Sequence, residues 1–171
     1  MDRLKINGLN ITLLLLNKDY LAAWVEDKTL SEKRLGVVID AEEIKGGLLA
    51  AFTSKIENLT QNPGEDIWYS YFAIIYQDRV VGAIGPKGIL DGGTAIEIGY
   101  GLLEKYWKKG IATQAIQTLC AWYFENTQVK RILAQTDRNN ISSQRCLSKN
   151  GFHQIDENNG LITWELKKEC Q

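Results

Sequence analysis

Residues 97–101 read Glu-Ile-Gly-Tyr-Gly, which sets one carboxylate on a strand face otherwise stripped of side chains. Alternation from Ala95 to Leu103 puts Ile96, Ile98, Tyr100 and Leu102 on one face and Glu97, Gly99 and Gly101 on the other. Glycine weakens a strand interior by entropy and lost packing, so Gly99 and Gly101 beside Glu97 predict that something approaches this backbone closely. A ligand is the simplest visitor. A few residues on, Trp107-Lys108-Lys109-Gly110-Ile111-Ala112-Thr113 opens a helix in which Ile111, Ala115, Leu119 and Tyr123 recur every four residues, with Ala112, Ile116 and Trp122 widening the stripe. The first turn of a helix carries unpaired N–H groups and the positive end of the dipole, and so holds an anion without a dedicated side chain. Lys108 and Lys109 work against that dipole unless an anion is bound, a local conflict that itself marks a site. The chemistry on offer is therefore a proton-accepting carboxylate close to a phosphate grip.

The grip is neither G-x-x-x-x-G-K-[ST] nor G-x-G-x-x-G, so the usual nucleotide loops do not account for it. A second segment narrows the choice: Asn140-Ile141-Ser142-Ser143-Gln144-Arg145-Cys146-Leu147-Ser148-Lys149-Asn150-Gly151-Phe152. Trp107 to Ala112 resembles the [QR]-x-x-G-x-[GA] pyrophosphate turn of the GNAT acyl-CoA N-acyltransferases, with Trp107 replacing Gln or Arg as in the branch of RimJ and RimL. Asn140, Ser143, Leu147, Lys149, Gly151 and Phe152 meet that branch's N-x-x-S-x-x-x-L-x-K-x-G-F. Both patterns occur in order, so the stretch from Ala95 to Phe152 is similar to the core of that family.

The resemblance implies an α+β fold of three layers, α/β/α, with a mixed, mostly antiparallel sheet splayed open at the cofactor site. It implies acetyl-CoA as cofactor, with pantetheine adding like a partial strand along Tyr100, Gly101 and Leu102. The pyrophosphate would then meet Trp107, Lys108, Lys109, Gly110, Ile111, Ala112 and Thr113. Acetyl transfer to an amine needs a neutral amine and a proton for the departing thiolate. Glu97 is the candidate base, its glycine-flanked face expected to point toward the cofactor cleft, and Ser143 the candidate donor or sulfur contact; a salt-bridged carboxylate and a helix-capping serine are the alternatives. Asn140 reads either as a pantetheine contact or as an N-cap. Many relatives place an acidic Tyr where this chain has Leu147, which leaves the leaving-group acid open. Arg145 and Lys149, four apart on one helix face, read as a solvated basic face with a cofactor phosphate as the alternative partner, His153 reads as structural, and Cys146 has no recognisable basic partner for covalent catalysis. The expected reaction is acetyl transfer to a primary amine, a peptide N-terminus or a small-molecule amine, by direct attack in a ternary complex. A non-catalytic acyl-CoA sensor is the competing class, and a nucleotide-phosphate binder a third.

The 171 residues fit one domain, 1–171, with net charge −1 and scattered basic residues that give no footprint for nucleic acid or an anionic membrane. No secretory signal pattern is evident, so a cytoplasmic location is expected by default. Cys120, Cys146 and Cys170 lack metal-site or disulfide spacing, so no metal is expected. Relatives of this kind are often homodimers.

The remaining pattern predicts a strand over Leu4 to Leu16, a helix from Asp19 to about Arg34, and a helix from Ala41 to Leu59 containing Ile44 and Leu48. Strands follow at Trp68 to Gln77 and Val80 to Gly85, with Pro86-Lys87-Gly88 as connection. Arg131 to Thr136 reads as a strand, Ile141 to Lys149 as a helix, and Phe152 to Asp156 with Leu161 to Leu166 as a closing hairpin.

Overall fold

The computed structural model describes residues 4–40 and 46–169. Residues 41–45 of the expected second helix, Met1 to Arg3 and Cys170 lie outside them. The first expected strand is instead a hairpin, β1 (Lys5–Asn7) and β2 (Thr12–Leu15), paired antiparallel from Lys5↔Leu14 to Asn7↔Thr12. Asn7-Gly8 is a turn signal that the apolar run conceals. The first expected helix is two, α1 (Lys18–Glu26) and α2 (Lys28–Leu35). Asp27 divides them: its N–H closes α1 on Ala23 O while its carboxylate accepts from Thr29 N at 2.8 Å to cap α2. A two-residue strand, β3 (Val38–Ile39), follows, then α3 (Gly46–Gln61).

Trp68 and Tyr69 do not begin a strand; they lie in a short helix, α4 (Asp66–Tyr69), before β4 (Phe72–Tyr76). Gln77 and Asp78, at φ 50 and 57, turn the chain into β5 (Arg79–Leu90), as two-residue hairpins require. β5 runs through the expected connection: Pro86 pairs Ile98 and Ile89 pairs Ile96, so Lys87 and Gly88 bulge opposite Glu97. Proline is tolerated because β4 pairing ends at Ile84, leaving Pro86 at a sheet edge on that side. Then come β6 (Ala95–Leu102), α5 (Ile111–Asn126), β7 (Arg131–Asp137), α6 (Ile141–Lys149), β8 (His153–Asn158) and β9 (Leu161–Lys167).

The sheet order is β1-β2-β4-β5-β6-β7-β9-β8 with β3 beside β5, antiparallel except at β6·β7 and β3·β5. Ile96 and Ile98 join Ile111, Ala115, Leu119 and Tyr123 in the core under α5. Leu14, Leu21, Trp24, Phe52 and Ala73 form the core on the α1–α3 side. The alternation along β6 therefore divides the molecule: its apolar residues serve one layer, and Glu97 faces the other.

One glycine fixes the spacing of the central strands. A Cβ on Gly82 would lie 2.2 Å from Gly101 O and 3.0 Å from Leu102 Cα, both backbone atoms. Gly82→Ala is expected to cost about 1–3 kcal/mol, the usual range for overpacking. Urea unfolding checks this, and an unchanged midpoint would show that β6 yields freely.

Candidate active site

β6 and β7 pair in parallel from Ala95↔Arg131 to Ile98↔Ala134 and then part. Beyond Ile98, β6 keeps only β5 as partner, through Gly85↔Gly99 to Gly82↔Leu102, while β7 continues against β9. The β7 side of Gly99 to Leu102 is thus an open strand edge inside the sheet. A cleft of about 580 Å³ opens there, and Tyr100, Gly101 and Leu102 form one wall.

The floor is the start of α5. Lys108 and Gly110 both take left-handed backbone, φ 61 and 75, and no side chain caps the helix. Gln114 N–H is the first to bond back, to Gly110 O at 3.0 Å, so the N–H groups of Ile111, Ala112 and Thr113 have no partner within the helix. All three residues line the cleft, with Trp107, Lys108 and Gly110. Trp107 braces the turn, because its indole N–H donates to Leu102 O at 3.0 Å and ties it to the end of β6. Lys109 is not in the lining; its ammonium sits 5.0 Å over the Tyr106 ring. Tyr106 in turn donates to Asp40, which also pairs with Lys105 at 2.9 Å, and these partners hold the Asp40 carboxyl below the usual range.

The opposite wall is α6. Asn140 accepts from Ser143 N at 3.1 Å, so it is the N-cap, and it lines the cleft as well. Ser143 does not cap. Its hydroxyl lies 2.6 Å from the Tyr100 hydroxyl, and Tyr100 also reaches Ser143 O at 3.3 Å. Burial pushes the Tyr100 phenol up to about 12, so it stays protonated and able to donate. Leu147, in the position of the acidic tyrosine of many relatives, is fully buried. Arg145 and Lys149, read from sequence as a solvated face with a phosphate as the alternative, both line the cleft, Arg145 from the middle of α6 and Lys149 from its C-terminal end, and add positive charge along that wall. Their four-residue spacing on α6 was the available signal. These donors suit a polyanionic ligand with an extended amide-bearing arm. Among the described residues no group of three or more His, Cys, Asp or Glu is placed to hold a metal, and no helix is long and apolar enough to cross a membrane.

Glu97 lies on the other face of β6 and outside this lining. Its carboxylate meets Lys87 Nζ at 2.5 Å, with side-chain exposures of 23% and 51%. The close approach predicted at Gly99 is made by this same lysine: a Cβ there would lie 3.2 Å from Lys87 Cε, whereas Gly101 has open space. Lys55, buried behind them, donates to Pro86 O and lies 4.6 Å from the Tyr71 ring centre. Burial, and secondarily the Lys87 charge, push its amine down to about 8. Sequence reasoning missed Lys87 because it treated 86–88 as a loop, and Lys55 because its partner, Pro86 O, lies in that same segment.

Residues 15–153 match the acetyltransferase (GNAT) domain family. The chain is 31% identical over 122 residues to an uncharacterized N-acetyltransferase, YjdG, of Bacillus subtilis, spanning 70% of this chain and 72% of that one. It is 31% identical over 81 residues to the ribosomal-protein-serine acetyltransferase of Escherichia coli, covering 47% and 45% of the two. In fold it is similar to RimL, the ribosomal L7/L12 alpha-N-protein acetyltransferase, in complex with coenzyme A, with a TM-score of 0.67 at 17% identity over 96% of this chain and 98% of that one. The chain belongs to the GNAT acetyltransferase family. It is accordingly an N-acetyltransferase of the GNAT fold, with acetyl-CoA as its cofactor.

Proposed function

We propose that this chain, as one domain over residues 1–171 in the branch of RimJ and RimL, transfers acetyl directly to a primary amine in a ternary complex. The acceptor is a peptide N-terminus or a small-molecule amine. The observation that carries the reading is the division of labour across β6 where it parts from β7: Glu97 on one face, the Tyr100–Ser143 hydroxyl pair on the other. Acetyl-CoA supplies the acyl carbonyl and a thiolate leaving group. The strand edge at Tyr100 to Leu102 positions the pantetheine arm, and the first turn of α5, with Lys108, Arg145 and Lys149, holds the phosphates. Glu97 takes a proton from the incoming amine. Ser143 gives one to the departing sulfur, with Tyr100 donating behind it, which supplies the acid that Leu147 cannot. Holding amine and thioester together contributes the larger share, since effective molarities reach about 10⁵ M or more.

The engagement of Glu97 with Lys87 favours one competitor, a non-catalytic acyl-CoA-binding module. An amine panel with acetyl-CoA, read as free thiol release beside calorimetric CoA binding, separates the two. Release with peptide N-termini or small amines is expected. Tight CoA binding with no release on any amine would establish the sensor instead.

A further inference from the structure

Lys87 is built into its place by two features that a plain surface ion pair would not need. The first is the β5 bulge, which sets Lys87 and Gly88 against Glu97 and requires Gly88 at φ +127, a conformation that L side chains rarely adopt. The second is the bare backbone of Gly99, over which the lysine stem lies with Cε 3.2 Å from the site of a Cβ. A half-exposed pair of this kind contributes little to stability. What the arrangement does achieve is to hold a primary amine 2.5 Å from the candidate base, beside the first residue past the parting of β6 and β7. Lys55 fixes the strand just upstream by donating to Pro86 O.

We propose that Lys87 occupies the place of the acceptor amine and is itself acetylated in cis on Nζ when no acceptor is present. The inference rests on Glu97 acting as base. Glu97 takes one proton from the ε-ammonium and passes it to solvent; Nζ then forms a bond to the thioester carbonyl carbon as the C–S bond breaks. The departing thiolate gains a proton from the Ser143 side, and the new amide loses one. Acetyl-CoA is the sole co-reactant, and CoA and one proton are released. Two consequences follow. An external acceptor must displace Lys87 from Glu97, and an acetylated Lys87, having lost its charge, no longer pairs with it.

The test is peptide mass spectrometry of the whole chain incubated with acetyl-CoA and no amine. Lys87 is expected to gain one acetyl group at least about tenfold faster than any other lysine, as a positioned amine should. The modified fraction is expected to be unchanged by diluting the protein, as a reaction in cis requires. Glu97→Gln gives the discriminating result, because the two reagents depend on Glu97 differently. Trace labelling of Lys87 by acetic anhydride without CoA needs no base from the protein and should not fall, while labelling by acetyl-CoA should fall by about 10². Equal responses to the two reagents would make Lys87 a bystander of chemical acetylation and overturn the proposal. Turnover of the amine panel by a protein whose Lys87 stays unmodified in the amine-free incubation would overturn it while leaving the proposed function standing; failure to bind CoA would overturn both.

Discussion

Glu97→Gln is expected to lower kcat/KM for acetyl transfer by about 10²–10³, the usual contribution of a positioned general base. CoA affinity should stay within about twofold, because Glu97 lies outside the cleft proposed to grip the cofactor. The substitution keeps size and hydrogen-bonding reach and removes basicity together with the negative charge. It leaves Lys87 without its partner, but that side chain is half exposed and can solvate, so unfolding should shift by less than about 1 kcal/mol. A rate loss with folding and CoA binding intact assigns the effect to proton transfer. Equal turnover of parent and variant across the pH range would remove Glu97 from the mechanism and leave Lys87 as its structural partner alone.

The parts of the site that follow from local chemistry were legible in the sequence. Gly110 opening an amphipathic run from Ile111, and Asn140 three residues before Ser143, are helix-start signals that depend on neighbours in the chain; α5 and α6 lie where those signals put them. The alternation through Glu97 likewise separated the two faces, since Ile96 and Ile98 are buried under α5 and Glu97 is not, but the Glu97 face expected to point toward the cofactor cleft lies outside its lining and meets Lys87 instead. What escaped was decided by partners distant in sequence. Pro86-Lys87-Gly88 has the composition of a loop, and only pairing with β6 turns it into a bulged strand. Gly99 correctly signalled a close approach, but one glycine cannot say whether the visitor is a ligand or, as here, a lysine twelve residues upstream. Tyr100 was placed on the right face with no hint of its hydroxyl partner, because Ser143 arrives from a helix 43 residues away. Asp27 could have been read as a helix divider, since Asp is both a poor interior residue and a good cap.

Ala112→Glu is expected to weaken CoA binding by at least about tenfold, approaching a hundredfold at low salt, without lowering stability. At the second position of α5 a carboxylate complements the helix dipole, worth about 0.3–1 kcal/mol in favour of the fold. The same carboxylate faces the cleft beside Lys108, where the phosphates are proposed to sit. Repulsion between unit charges about 6 Å apart comes to roughly 3 kcal/mol at an effective dielectric of about 20, and an open cleft screens part of it. Ala112→Gln is the control for bulk: it adds nearly the same volume with no charge, so the gap between the two variants isolates electrostatics. Calorimetric titration at two salt concentrations reads both terms, and the gap should narrow as salt rises. Identical CoA affinities for Glu and Gln variants would show that the phosphates bind away from the α5 N-terminus, leaving Arg145 and Lys149 on α6 as their grip.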